Sequence, residues 1–171
     1  LILNFEGIRP EAYSSAEYAS QAKMLIAEAY YRTDDYESSD SIFEALIREE
    51  PDNFMVLNNY SYYLAERGEK LEKAREWSLD VINNNPENAT FLDTHAWVLY
   101  KLERYEEAES YILNALDKGG ENDPEINEHA GDIQKALKSY DVAVSYYEKA
   151  ILLGGDRETL QEKIDIAKER E

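Results

Sequence analysis

Residues 92–116, LDTHAWVLYKLERYEEAESYILNAL, carry two amphipathic helical patterns joined by a tight turn, with no strand-like alternation. The second pattern starts on a large residue, Tyr105, followed three positions later by a small one, Ala108. The same pair stands 34 residues earlier as Leu71 and Ala74, 35 earlier again as Tyr36 and Ser39, and 35 later as Tyr140 and Ala143. A fixed period of this size marks a supersecondary unit stacked on copies of itself. One helix pair cannot bury its own apolar face, but a stack can, so the sequence predicts an all-α, right-handed α-solenoid of four helix-turn-helix units.

Working outward, the units fall at about 14–51, 52–86, 87–120 and 121–155. In the first, Ser14 and Glu17 have the spacing of a capping box that opens a helix through about Arg32, with Ile26, Ala27 and Tyr30 as its apolar set. Asp34 and Asp35 form the turn. A return helix over 36–48 offers Ile42, Phe43, Leu46 and Ile47 and stops before Pro51. The second opens with Asp52 as N-cap, carries Leu57, Tyr60, Ser61 and Leu64, breaks at Gly68, and returns through Leu71, Ala74, Val81 and Ile82. Its turn has one residue more than that of the third unit, which accounts for the change of period from 34 to 35. The third opens after Asn88 and closes at Gly119 and Gly120. The fourth has Asp123 as cap and Pro124 at the first helical position, and closes at Gly154 and Gly155. Pro51, Pro86, Gly120 and Gly155 share one slot, and there the glycines stop the helix by tolerating a left-handed conformation.

Beyond Asp156, RETLQEKIDIAKERE places Leu160, Ile164 and Ala167 on one face, the pattern of a C-terminal capping helix over 156–171. At the other end, 1–13 with its apolar LILNF reads as the last turn of an upstream helix and a linker, or else as a disordered end.

Composition narrows the function classes. The 171 residues are 43% hydrophobic, enough for a continuous core, and contain 4 prolines and 7 glycines. A net charge of -19 opposes binding to phosphate backbones or anionic membrane surfaces. The absence of cysteine excludes disulfides and thiolate metal sites while leaving the compartment open. No run of the sequence is long and apolar enough to insert in a bilayer.

With the period and its slots in place, the stretch from about Ser20 to Gly155 resembles the tetratricopeptide-repeat (TPR) family. Its pattern sets a small residue midway along each first helix (Ala27, Ser61, Ala96, Gly131) and another early in each second helix (Ser39, Ala74, Ala108, Ala143). A large slot holds Tyr36, Leu71, Tyr105 and Tyr140, and a later aromatic slot holds Phe43, Ser78, Ile112 and Tyr147. Ser78 departs from the pattern, with Trp77 beside it to fill the volume. Lys23 and Asn127 depart from a large slot near the start of the first helix. At Gly131, alanine is expected to be tolerated and leucine to force the helices apart. More narrowly, LNNYSYYLAERG and LDTHAWVLYK are similar to arrays in bacterial cell-envelope members, which implies an envelope or periplasmic setting, the cytoplasm remaining an alternative.

The resemblance implies a non-enzymatic interaction module that holds a partner's peptide segment in a concave groove lined by the first helices. Its groove slots fall on Met24, Glu28, Tyr31 and Arg32; on Asn58, Asn59 and Tyr62; on Asp93, Thr94, Trp97, Tyr100 and Lys101; and on Glu128, His129 and Asp132. Aromatics with polar tips suit a partly wet binding surface, although they serve equally as packing between repeats. Asn58 and Asn59 can each donate to and accept from an extended backbone, or be plain surface residues. Some members clamp a terminal carboxylate with groove Lys and Asn. Here Asp93 and Glu128 occupy equivalent slots, which favours a basic peptide instead. On this reading the groove carboxylates are open to water, and Trp97→Ala or Asp93→Asn leaves helical content unchanged.

Nothing in the sequence asks for a cofactor. His95 sits in a packing slot and His129 faces the groove, without HExxH spacing, although His129 with Asp93 or Asp132 could hold a cation weakly. Asp93 and Glu128 are expected on open helices, with no apolar pocket to separate their pKa values for acid–base work. The rival function is a structural or self-associating spacer whose groove stays empty; the oligomeric state is not legible.

Overall fold

The structure, a computed structural model, describes residues 15–170, with side chains from residue 18 onward. The segment 1–13 and the capping box of Ser14 and Glu17 lie outside the described residues. Among those described are nine α-helices and no strand: α1 Ser15–Arg32, α2 Tyr36–Glu49, α3 Phe54–Arg67, α4 Leu71–Asn84, α5 Ala89–Lys101, α6 Tyr105–Asp117, α7 Pro124–Ala136, α8 Tyr140–Leu152 and α9 Arg157–Lys168. A 3-10 turn at Gly120–Asn122 joins α6 to α7. This is the all-α helical-repeat fold that the period predicts.

Two compact units divide the chain, Leu1–Val56 and Leu57–Glu171, the boundary falling inside α3. In the first unit α1 packs on α2; in the second, α5 packs on α4 and α6, α7 on α6 and α8, and α8 on α9. The repeat slots explain why. Ala27, Ser61, Ala96 and Gly131 are buried, as are Ser39, Ala74, Ala108 and Ala143, so backbones approach closely wherever a small residue recurs. Phe43, Ser78, Ile112 and Tyr147 are buried beside them. Ser78 fits a slot too small for its hydroxyl to be idle, because its Oγ lies 2.8 Å from His95 Nδ1, while Trp77 leans on the Tyr60 ring at 5.5 Å. Asn127 ties the linker down by donating to the carbonyls of Asp123 at 2.6 Å and Glu121 at 3.3 Å.

Helix starts follow local chemistry. Asp35, Asn88, Asp123 and Asp156 cap α2, α5, α7 and α9 through side-chain oxygens, satisfying amides that a helix leaves over at its N-terminus. The cap of α3 is Asn53 rather than Asp52, since Asn53 Oδ1 accepts from Val56 N–H at 3.3 Å. α9 buries Leu160 and Ile164 against Ala143, Tyr147 and Ala150, and Ala167 is buried on the same helix.

Three expectations are corrected. Ile26 and Tyr30 are exposed, 51% and 39%, leaving Ala27 as the buried member of that set. At the repeat ends it is Gly119 (φ +105°) and Gly154 (φ +101°), one position earlier than expected, that take the left-handed conformation. Gly120 is needed for space: a Cβ there would lie 2.7 Å from the Ala115 carbonyl oxygen. Most consequential, a Cβ on Gly131 would come within 2.5 Å of Tyr147 Cδ1 and closer still to Cε1, so even alanine does not fit.

Candidate functional site

The site lies in the second unit, on the faces that α3, α5, α7 and α9 direct to one another. Residues three or four apart share a helix face. Asn58, Tyr62 and Glu66 line up on α3, Asp93, Trp97, Tyr100 and Lys101 on α5, and Glu125, Glu128, His129 and Asp132 on α7.

Trp97 is the hub. Its indole lies nearly parallel to the His129 imidazole (4.1 Å between centroids, 14°) and to the Tyr100 ring (4.7 Å, 12°). Its Nε1–H donates to Glu66 Oε1 at 2.7 Å, and Lys101 Nζ sits 5.1 Å from its ring centroid, within cation–π range. His129 is buried and its Nδ1–H donates to Asp93 Oδ1 at 2.9 Å. Tyr62 O–H donates to Glu125 Oε1 at 2.6 Å. From α9, Lys163 Nζ donates to Glu128 Oε1 at 2.7 Å and Asp132 Oδ2 at 2.6 Å, while Asp132 Oδ1 accepts from Tyr147 O–H at 2.8 Å and from Lys135 Nζ at 3.3 Å.

These pairings set the protonation states. Burial works against the His129 charge, but the Asp93 carboxylate outweighs it and lifts the imidazole pKa above its ordinary value. Burial likewise opposes charge on both Asp132 and Lys163, and their mutual attraction prevails, lowering the acid and raising the amine. Burial, then the Glu125 hydrogen bond, raises Tyr62 far above the phenol range, so it stays protonated and donates to Glu125. His95, buried away from this site, goes the other way: burial lowers it to about 4 and it is neutral.

Two cavities open here. The larger, 460 Å³, is floored by Trp97 and His129 and edged by Tyr62, Glu66, Lys101, Glu125, Glu128, Asp132 and Lys163. The smaller, 160 Å³, is walled by Asn58, Asn59, Tyr62, Tyr63, Thr90, Asp93, Thr94 and Glu125. The structure therefore brings Asn58, Asn59, Tyr62, Asp93, Thr94, Trp97, Tyr100, Lys101, Glu128, His129 and Asp132 into one region. Met24, Glu28, Tyr31 and Arg32 belong to the first unit, where Arg32 Nη2 pairs with Glu28 Oε1 at 2.6 Å, Tyr31 leans on Tyr36 at 5.5 Å, and Met24 is half-buried.

The expected openness does not hold. Asp93, Thr94, Trp97, His129 and Asp132 are buried, because α5 from Phe91 to Leu99 is enclosed on every side. Asp93 and Asp132 are paired inside the protein instead of standing in water. Trp97→Ala and Asp93→Asn therefore disturb the fold as well as any ligand, the first by emptying a buried aromatic site and the second by removing the counter-charge of a buried imidazolium. The buried His129–Asp93 pair has the form of a base and its orienter, but neither cavity is lined by a serine or cysteine to act as nucleophile. Among the described residues no three carboxylate or imidazole groups cluster to hold a metal ion.

Glu66, Glu125 and Lys163 lie outside the groove slots that the repeat marks. Glu66 was within reach, four residues after Tyr62 on one face. Lys163 lies 35 residues after Glu128, so extending the period one more step places α9 in the register of a first helix.

Comparison with known proteins agrees with the architecture. A TPR repeat-containing protein of Pseudomonas aeruginosa is 36% identical over 87 residues, which is 51% of this chain but only 14% of that relative. The crystal structure of MamA protein superposes with a TM-score of 0.67 at 14% identity, covering 90% of this chain and 83% of that one. The first TPR domain of human RPAP3 gives 0.63 at 18% identity, covering 70% and 93%. The first TPR of Spaghetti (RPAP3), bound to the HSP90 peptide SRMEEVD, gives 0.61 at 17% identity, covering 68% and 90%. These identities speak to fold alone. The family model described as "Tetratricopeptide repeat" matches residues 24–89 and 94–157, the span over which the small and large slots recur, and the chain belongs to the tetratricopeptide-repeat family.

Proposed function

We propose that the chain is a non-enzymatic interaction module that binds a peptide segment of a partner protein across the two cavities, with Trp97 as anchor. The observation that carries this is the floor of the larger cavity: an indole fixed by stacking on His129 and Tyr100 and by its bond to Glu66, beneath a rim of charged groups. Rigid aromatics inside a charged rim are the usual anatomy of a binding hot spot. Peptide binding in this fold is consistent with a neighbour of similar architecture that holds an HSP90 peptide. The ligand is basic: Glu66 and Glu125 are exposed at the rim, while Glu128 and Asp132 are answered by Lys163 and act as walls.

Calorimetric titration with peptides that alternate Lys or Arg with aromatic residues tests the proposal. Glu66→Gln and Glu125→Gln, at exposed positions, should each weaken binding and flatten its salt dependence, while the amide oxygen of Gln still accepts from the Trp97 N–H or the Tyr62 O–H and the fold is kept, as helical content by circular dichroism checks. A peptide that binds these variants as tightly as wild type, with the same salt slope, places recognition elsewhere.

One observation favours a self-associating role instead. On α1, Ala22, Leu25, Ile26, Ala29 and Tyr30 form an i, i+3, i+4, i+7, i+8 stripe that is exposed throughout. Light scattering over a concentration series decides: association that Ile26→Glu abolishes assigns the stripe to contacts between copies.

A further inference from the structure

The smaller cavity differs from the larger in a way that specifies its guest. In the larger one Lys163 faces Glu128 and Asp132, and Lys101 approaches Glu66 at 4.0 Å. The smaller has two carboxylates, Asp93 and Glu125, and no lysine or arginine in its wall. Each carboxylate spends one oxygen inside the protein, Asp93 on His129 and Glu125 on Tyr62, and keeps the other.

Asn58 supplies an independent sign. Its side chain is 4% exposed, its Nδ2 donates to Asn59 Oδ1 at 3.3 Å, and its Oδ1 is buried without a hydrogen-bond partner. A buried amide oxygen left unsatisfied is costly, and a donor from outside would relieve it. The rings of Tyr62 and Tyr63 form an edge-to-face wall beside it, 5.9 Å between centroids.

Resting on the peptide-binding reading above, we infer that this cavity seats an arginine side chain of the partner peptide, its guanidinium donating to Asp93 and Glu125 and, as the Asn58 amide turns into the cavity, to Asn58 Oδ1, and lying against Tyr62. Arginine fits better than lysine because the acceptors surround a slot bounded by flat rings. A planar group with five donors can serve several acceptors at once and stack, whereas an ammonium is a compact, strongly hydrated point charge.

The test uses the ¹⁵N-labelled chain titrated with N-acetyl-arginine methylamide, its lysine counterpart and its citrulline counterpart. The Asn58 side-chain amide reports on the smaller cavity and the Trp97 indole N–H on the larger. The arginine derivative should shift the Asn58 amide saturably and bind about 10-fold more tightly than lysine, with citrulline weaker still because it keeps the shape and loses the charge. Asn58→Leu should weaken arginine by about 10-fold, and Glu125→Gln, whose amide oxygen still accepts from Tyr62, by about 3-fold or more. Equal binding of arginine and citrulline, or an arginine response confined to Trp97, overturns the arginine seat while leaving the peptide-binding proposal intact. That proposal falls separately, on the calorimetric result with Glu66→Gln and Glu125→Gln.

Discussion

Replacing Gly131 with alanine should destabilise the protein even though it removes a glycine from the middle of a helix. On helix propensity alone the change gains about 1 kcal/mol. The structure sets against this a Cβ at 2.5 Å from Tyr147 Cδ1, on a ring that is fully buried. Carbon atoms rest comfortably at about 3.5–4.0 Å, so the ring must withdraw by about 1 Å into a packed core, an overpacking cost of about 1–3 kcal/mol. Such a shift also strains the Tyr147 O–H bond to Asp132, which orients the carboxylate that holds Lys163. A hydrogen bond to a charged group contributes about 1.5–3 kcal/mol when lost. The net expectation is a loss of about 2 kcal/mol, read from urea denaturation of wild type, Gly131→Ala, Tyr147→Leu and the double variant. With the ring removed, the alanine should turn neutral or mildly stabilising, giving a coupling energy of about 2 kcal/mol between the two positions. A Gly131→Ala protein as stable as wild type, or additive behaviour in the cycle, refutes the close-approach argument.

The two histidines should titrate in opposite directions in proton NMR, His129 above the ordinary value of about 6.5 and His95 near 4. The unfolded chain takes up the His95 proton first, so that site costs about 3 kcal/mol of stability as pH falls from about 6.5 to about 4. The His129–Asp93 pair contributes fully below about 6.5 and is lost as pH rises through its raised folded value; shifts of the same sign would contradict both assignments. Glu103 holds φ +60°, so Glu103→Gly should raise stability by up to about 1 kcal/mol, and an unchanged denaturation midpoint would show that the turn carries no strain. Removing 156–171 should cost at least about 3 kcal/mol for Leu160 and Ile164 alone, and it leaves Asp132 without its α9 lysine. A truncated chain with an unaltered melting curve and elution volume would make α9 a free tail.

Periodicity revealed the repeats because it is enforced by geometry that each unit must satisfy separately. Ala74 and Ala108 are small for the same reason, and a reader needs only to see that they recur. The turns were harder. Asp34, Gly68, Glu103 and Lys138 all adopt positive φ at one place in the repeat, yet only one is glycine, so residue type hid a conformational rule that the backbone obeys. The exposed side of α1 was misread for a different reason: Ile26 and Tyr30 have helical spacing, and spacing identifies a face without saying what, if anything, covers it. Gly131 shows the limit of slot logic. Small was legible, but that the slot admits no methyl at all follows from Tyr147, sixteen residues away.

The site illustrates the same divide between face and partner. The register placed Trp97, Asp93, His129 and Asp132 on first-helix faces but could not show that they answer one another across helices. Four polar pairs of the site each link two helices: Trp97 to Glu66 joins α5 to α3, Tyr62 to Glu125 joins α3 to α7, Asp93 to His129 joins α5 to α7, and Asp132 to Lys163 joins α7 to α9. Apolar pairs of equal volume would hold these helices together at least as well, since burying charge carries a desolvation cost that the ion pair roughly offsets. What the polar pairs add is direction. They lock the indole, the imidazole and the carboxylates in fixed orientations around the two cavities, so a ligand meets donors and acceptors already ordered and loses less freedom in binding them. The leftover oxygens of Asp93 and Glu125 and the orphaned oxygen of Asn58 are then the residue of that ordering, and they fall together in the cavity that has no cation of its own.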